Sequence, residues 1–333
     1  MGERESTRLS HLDFYKGICI LFIIITHSGW SDQQRLVYLF PFWIDMAVPV
    51  FMVITGYVSA MSFRKRQIDF LHAYHPKEIL IKWLRFIIPF TPVFVCEVFV
   101  NYIVRNKNYS LITLLKDYIT GGYGPGSYYF PVMLQIVILL PLIWNTVKKY
   151  EIKGLLLCFA FNIMFEAVKK AINLIPELYR LCSLRYVFVV AYGCYLYETK
   201  DKKQKTAASI IVGICGILYI VACNYLSYQP IITDQWKTTS VFAVLFIVPI
   251  MMLLMKQNEL NCRGIELLGK ASFNIFLTQM VFYTFGAWVV YKLTDMFIFR
   301  ILINLGICCG IGVLFYKIEN PITQRIIRSV KAN

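Results

Sequence analysis

Apolar residues fall in ten blocks along the chain, at roughly 12–30, 39–63, 83–104, 128–147, 154–172, 184–198, 207–226, 239–255, 272–291 and 297–316. Most approach the about 20 helical residues needed to cross a hydrocarbon core of about 30 Å. They do not alternate polar with apolar positions, as the strands of a membrane barrel would. The pattern predicts an all-α, polytopic integral membrane bundle of about ten transmembrane helices. An even count puts both termini on one side. The longest external loop, about 105–127, carries Gly121-Gly122-Tyr123-Gly124-Pro125-Gly126 and predicts turns. No stretch reads as a separate soluble domain. Residues 1–333 are expected to form a single transmembrane domain with short cytoplasmic tails at about 1–11 and 317–333.

Composition supports the membrane reading. Hydrophobic residues make up 58% of the chain and charged residues 16%, against about 25% charged in soluble domains. The net charge of +15 has two readings. Nucleic-acid binding would need a basic domain outside the membrane, and the pattern offers none. Retention of Lys and Arg on the cytoplasmic side explains the charge better. With the N-terminus inside, every inside segment holds at least three basic residues. The first loop alone has Arg64, Lys65, Arg66, Lys77, Lys82 and Arg85, and a later one has Lys200, Lys202, Lys203 and Lys205. The expected orientation is N-in, C-in. The first apolar block keeps Lys16 and His27 and has no small-residue cleavage site after it, so it is expected to be a retained helix. Ten cysteines are present without a Cys-x-x-Cys pair. They read as packing residues, and no metal site is expected.

Of the four histidines, His11 is placed in the N-terminal tail and His72 and His75 in the first cytoplasmic loop. Only His27 lies within an apolar block. An ionisable group in the membrane is costly and is a functional candidate by default. Histidine is also suited to general base work near neutral pH. The plainer reading is a hydrogen-bonded histidine near the interface. Lys16 precedes His27 by eleven positions, about three turns plus 20°, so the two share a helix face about 16 Å apart along the axis. Ser10 with Asp13 resembles a capping box that would start this helix. A cation at the cytoplasmic mouth and a base near the outer side suit a long ligand with an anionic head. Lys16 alone also reads as an ordinary snorkelling lysine.

Several segments carry a family resemblance. Arg8-Leu9-Ser10-His11-Leu12-Asp13-Phe14-Tyr15-Lys16-Gly17-Ile18, continuing to His27, resembles the opening of the acyltransferase family 3 membrane enzymes, with a basic residue, ten intervening residues and a histidine. Asp45-Met46-Ala47-Val48-Pro49-Val50-Phe51 with Thr55-Gly56-Tyr57 resembles the family's Phe-rich segment. Lys82-Trp83-Leu84-Arg85 with Pro89 resembles its basic third-helix start, and Ser127-Tyr128-Tyr129-Phe130 its aromatic turn. Leu268-Gly269-Lys270-Ala271-Ser272-Phe273-Asn274-Ile275-Phe276-Leu277 resembles a late helix, and Ile318-Glu319-Asn320-Pro321 its closing Glu-x-Pro. The chain departs from the family at two places. Lys16 stands where Arg is commoner, and it cannot make a bidentate phosphate contact. Gln279 stands where many members have His.

The resemblance implies transfer of an acyl group, commonly acetyl, from acyl-coenzyme A to a hydroxyl of a cell-surface glycan or other envelope acceptor, in a plasma membrane. His27 would be the base. Lys16, Lys82, Arg85, Arg64 and Arg66, with Lys65, would hold the phosphates of the donor, although positive-inside anchoring explains the same charges. Asp45 is the first carboxylate candidate to orient His27, followed by Glu97 and then Glu166, which also lie in outer helix halves. Asp13 stands about 21 Å from His27 along the helix, too far to orient it, and is kept as a substrate-side candidate with Glu166 and Tyr128. Tyr128 and Tyr129 read first as interface aromatics and second as a sugar-stacking surface. The oligomeric state is left open, a homo-oligomer included. The alternatives are a proton-coupled transporter or flippase using His27 and the carboxylates, and a non-enzymatic export partner. The absence of an obvious internal repeat argues weakly against the first.

Overall fold

A computed structural model describes residues 2–105, 109–202, 206–257 and 262–332. Lys203 and Lys205, counted above toward the orientation, lie outside the described residues. The helices in chain order are α1 (Gly2–Thr26), α2 (Asp32–Val37), α3 (Ala47–Lys65), α4 (Phe70–Ala73), α5 (Pro76–Arg105), α6 (Leu111–Ile119), α7 (Tyr129–Tyr150) and α8 (Ile152–Ala171). There follow α9 (Pro176–Leu181), α10 (Val187–Glu198), α11 (Thr206–Asn224), α12 (Ile247–Leu254), α13 (Arg263–Lys270), α14 (Ser272–Val281), α15 (Ala287–Leu293) and α16 (Phe297–Ala332). Among the described residues there is no strand.

Among the described residues six stretches are long and apolar enough to cross a membrane: Phe40–Lys65, Pro76–Ile103, Tyr129–Tyr150, Thr206–Asn224, Ser272–Leu293 and Phe297–Ala332. The block expected at 184–198 is shorter than a span, a 3-10 turn at Ser183–Tyr186 followed by the 12 residues of α10. That expected at 239–255 is two short 3-10 turns and the 8-residue α12.

Three expectations are corrected. Helix α1 starts at Gly2, so Ser10 and Asp13 lie inside it and do not cap it. His11 is therefore no tail residue: it lies within α1 and is fully buried. The loop expected at 105–127 contains α6, whose start Ser110 caps by accepting from the Thr113 amide at 3.2 Å. Its Leu111, Ile112, Leu115 and Ile119 are exposed and form an apolar face. The C-terminal segment 317–332 is helical, the continuation of α16 through Pro321 as one helix of 36 residues.

The chain divides into two compact units. The first comprises residues 1–12, 30–74 and 139–261. Its centre is the pair α3 and α10, which approach backbone to backbone. A Cβ at Gly56 would fall on the Val190 carbonyl, and one at Gly193 on the Val53 carbonyl. The Cys194 thiol donates to the Gly56 carbonyl at 3.4 Å, and Tyr57 and Tyr197 meet edge to face. Arg64 pairs with Glu198 at 2.5 Å, and Glu198 also accepts from Trp144 Nε1 at 2.8 Å, tying α7 to the same pair. Asn162 on α8 secures the start of α10: its Nδ2 donates to the Leu184 carbonyl at 2.8 Å and its Oδ1 accepts from the Phe188 amide at 2.6 Å. A side-chain amide thus serves orphan backbone groups where water cannot.

The second unit comprises residues 13–29, 75–138 and 262–333. Helices α14 and α16 run side by side, with Gly312 against Ile275. Glu319, from the closing Glu-x-Pro segment, is buried on α16. It accepts from Asn274 Nδ2 at 3.0 Å and from the Thr323 hydroxyl. Gly269 meets the Asp13 carbonyl and Gly17 the Ile265 carbonyl, so α1 lies directly on α13. Phe90 and Phe130 stack with centroids 3.8 Å apart, joining α5 to α7.

Candidate active site

His27 follows the last residue of α1, where the helix runs out into Ser28 and into Gly29 at φ +81°. The backbone still turns, since the His27 amide donates to the Ile24 carbonyl at 3.2 Å and the Ser28 amide to Ile25 at 3.0 Å. The imidazole is half-buried, its ring centroid 5.7 Å from that of Tyr283. Around this turn lies a knot of polar side chains. The Tyr283 hydroxyl donates to the Ile24 carbonyl at 2.8 Å and lies 3.0 Å from the Ser28 hydroxyl. Asn304 Nδ2 on α16 donates to Ser28 Oγ at 3.3 Å. A helix end that deep in an apolar setting needs such partners for its last carbonyls.

Tyr283 reaches Ile24 from a π-helical turn, Phe282–Gly286, that interrupts the span between α14 and α15. Such single turns are frequent at functional sites. One turn earlier on α14 is Gln279, fully buried, with neither Oε1 nor Nε2 hydrogen-bonded among the described residues. Asn304 Oδ1 is in the same condition.

The carboxylates lie in separate settings. Glu97 is fully buried on α5 and faces the glycine loop. It accepts from the Tyr123 amide at 3.2 Å, and a Cβ at Gly122 (φ +86°) would strike its Oε2. Tyr123 in turn donates to Asp117 at 2.5 Å; burial, then that bond, pushes its hydroxyl above the usual phenol range. Asn101, one turn from Glu97, is buried, with neither side-chain amide atom hydrogen-bonded among the described residues. Glu166 and Asp45 belong to the other unit. Glu166 is buried, accepting from the Tyr179 hydroxyl at 2.6 Å with Lys169 at 3.4 Å. Lys169 reaches on to Asp234 at 2.5 Å, and Lys170 meets the same carboxylate at 3.1 Å. Asp45 accepts from Arg35 at 2.9 Å. Arg185 completes the Glu166 neighbourhood, lying over the rings of Trp236, Tyr186 and Tyr179.

Of the expected donor-side cations, Lys16 forms a part-exposed ion pair with Asp13 at 2.7 Å. Lys82 is half-buried and Arg85 exposed, both on α5 in the same unit as Lys16. Arg64 serves as the strut to Glu198, and Arg66 caps the end of α3 with its side chain exposed. Tyr128 is buried just before the start of α7. A cavity of about 490 Å³ in the first unit, lined by Phe159, Phe188, Tyr192, Val248 and Met252 among others, includes none of the expected site residues.

Sequence reasoning passed over Ser28, Tyr283 and Asn304. The adjacency of Ser28 to His27 was a signal; nothing in the sequence marks the π-turn that delivers Tyr283. A family model described as an acyltransferase domain matches residues 9–317. No curated protein and no solved structure matches the chain.

Proposed function

Because the chain belongs to acyltransferase family 3, we propose that it moves an acyl group, acetyl in the first instance, from acyl-coenzyme A to a hydroxyl of a glycan or other envelope acceptor. The observation that carries the site is the environment of His27. It is a half-buried imidazole at the end of α1, beside Tyr283 and a knot of hydrogen bonds. In this reading the protein is a ten-helix bundle of the plasma membrane, N-in and C-in, and coenzyme A enters from the cytoplasmic side.

Neutral His27 takes the proton of the acceptor hydroxyl as that oxygen attacks the thioester carbonyl. The carbonyl π pair moves onto oxygen, giving a tetrahedral oxyanion. Its collapse breaks the carbon–sulfur bond, and the leaving sulfur takes the acceptor's proton from the imidazolium, restoring neutral His27. A positioned base of this kind contributes about 10²- to 10⁴-fold. Lys16, Lys82 and Arg85 are the proposed contacts for the phosphates of coenzyme A, as cations matched to anionic oxygens. Arg64 and Arg66 are kept for that role on their expected place in the basic first cytoplasmic loop alone. Asp45 and Glu97 are kept as acidic partners in catalysis on their expected outer depth, and Asp13, Glu166 and Tyr128 on the acceptor side.

The test is binding and turnover of acetyl-coenzyme A by the purified protein in detergent, beside His27→Ala. The reading expects both proteins to bind and only the wild type to release thiol when acceptor is present. If neither binds any acyl-coenzyme A, the donor assignment is lost. A transporter for a glycan intermediate then takes first place, favoured by the π-turn at Phe282–Gly286 and by Pro89 and Pro92 within α5.

A further inference from the structure

We infer that Gln279 donates the hydrogen bond that stabilises the tetrahedral oxyanion, a role resting on the acyl-transfer reading above. An acyl transfer needs a donor aimed at the oxygen on which charge develops, in a site closed to water. Gln279 has the chemistry and the place. Its Nε2 is a neutral donor that needs no proton from solution. It lies one turn before Tyr283 on the same helix face, and the Tyr283 ring is 5.7 Å from that of His27.

The packing fixes this face. Ile275 meets Gly312 on α16, while Tyr283 joins Ser28, to which Asn304 on α16 donates. Gln279 falls between those two contacts, on the stripe 275–279–283. Met280, next along, is held against Gly124 of the glycine loop. The helix therefore has no freedom to turn Gln279 outward, and the residue is fully buried.

A buried carboxamide with neither atom hydrogen-bonded lowers stability. Its neighbours Leu277, Met280 and Ile275 are buried apolar residues, and leucine would suit the surroundings better. The polar groups nearby are otherwise spent on holding the end of α1: Tyr283 on Ile24, Asn304 Nδ2 on Ser28. Gln279 Nε2 is the buried side-chain donor left over on this wall among the described residues. A group that costs stability and serves no structural bond is what a site prepared for a transient charge requires. In the reaction the amide N–H meets the thioester oxygen as the carbonyl pair moves onto it, and releases it when the carbon–sulfur bond breaks. Gln279 itself gains and loses no proton.

The experiment uses the full chain in detergent, with acetyl-coenzyme A as donor and water and methyl glucoside as hydroxyl probes. Thiol release, acetyl-coenzyme A binding and thermal melting are measured for wild type, His27→Ala, Gln279→Leu and Gln279→His. The leucine variant should lose about 10²- to 10³-fold in kcat, keep its affinity for acetyl-coenzyme A, and melt at or above the wild-type temperature. The histidine variant, which returns an N–H donor, should recover at least about tenfold of that loss. A leucine variant with near wild-type kcat overturns the inference while the acyl-transfer reading stands. So does one that melts early with its kcat per folded molecule intact, which would make Gln279 a structural amide holding a buried water. If the wild type itself releases no thiol above His27→Ala, the acyl-transfer reading falls, and the role of Gln279 falls with it.

Discussion

The Tyr283 hydroxyl donates to the carbonyl of Ile24 at 2.8 Å, across more than 250 residues of sequence. That bond holds the last turn of α1 against the π-turn, and His27 is carried by that turn. Tyr283→Phe keeps the ring and removes the bond. We expect kcat to fall about tenfold or more with little change in the KM for acetyl-coenzyme A, since a base displaced by a fraction of an ångström loses proton-transfer efficiency before the donor loses its phosphate contacts. Steady-state kinetics in detergent measure this. A rise in KM alone would place Tyr283 in donor binding.

Lys16 and Asp13 form a part-exposed ion pair at 2.7 Å. In the proposed function Lys16 leaves this pair to meet a phosphate. Lys16→Ala should raise the KM for acetyl-coenzyme A about tenfold with kcat changed less. Lys16→Arg should hold or lower KM, because a guanidinium forms two parallel bonds to phosphate. Equal KM values for all three proteins would leave Lys16 as an interfacial anchor.

Lys169 is buried between Glu166 and Asp234. Lys169→Met takes the nearest cation from the buried Glu166 carboxylate, the kind of change that costs about 3–5 kcal/mol. Thermal melting should show it. Lys169→Met combined with Glu166→Gln should recover part of the loss, because the isolated charge goes with the second substitution.

Acid should release the segment that Lys169 holds. Its Nζ donates to the Ile232 carbonyl at 3.0 Å and to Asp234. Partial burial pulls the Asp234 carboxyl upward, but hydrogen bonds from Lys169 and Lys170 outweigh this and hold it below the usual range. A carboxyl lowered in the folded state stabilises fully above its unfolded value, about 3.9, and loses that contribution as pH falls through the lowered one. Hydrogen exchange at residues 232–236 should be insensitive to pH from neutrality down to about 5, after correction for intrinsic rates. Below about 4 it should gain protection-loss beyond that correction, and Asp234→Asn should abolish the dependence.

Much of the architecture was legible because apolar length is a strong signal. The stretches Pro76–Ile103, Tyr129–Tyr150 and Phe297–Ala332 carry the blocks read from the sequence. His27 stood out because an imidazole in such a block has few inexpensive reasons to be there. Other features were hidden for identifiable causes. His11 looked like a tail residue because charged neighbours mask a helix that continues to Gly2. Helix α6 was hidden by the Gly-rich run that follows it. The pairings Arg64–Glu198 and Lys169–Asp234 depend on which helices become neighbours, and no local pattern encodes that. Gln279 was visible only as a departure from the family; its burial without partners gives the departure a physical meaning.

The Gly56–Gly193 approach has a consequence for how the chain enters the membrane. Helix α10 has 12 residues, about 18 Å of α-helix, too short to cross the hydrocarbon alone. Its partner α3 is synthesised much earlier; Gly56 and Cys194 are 138 residues apart. The surface around Gly56 on α3 is thus made before its partner, and we expect α10 to insert by closing on a helix already in place. Gly193→Val should accordingly fail at biogenesis, giving little inserted protein, before any defect of the mature fold could be measured.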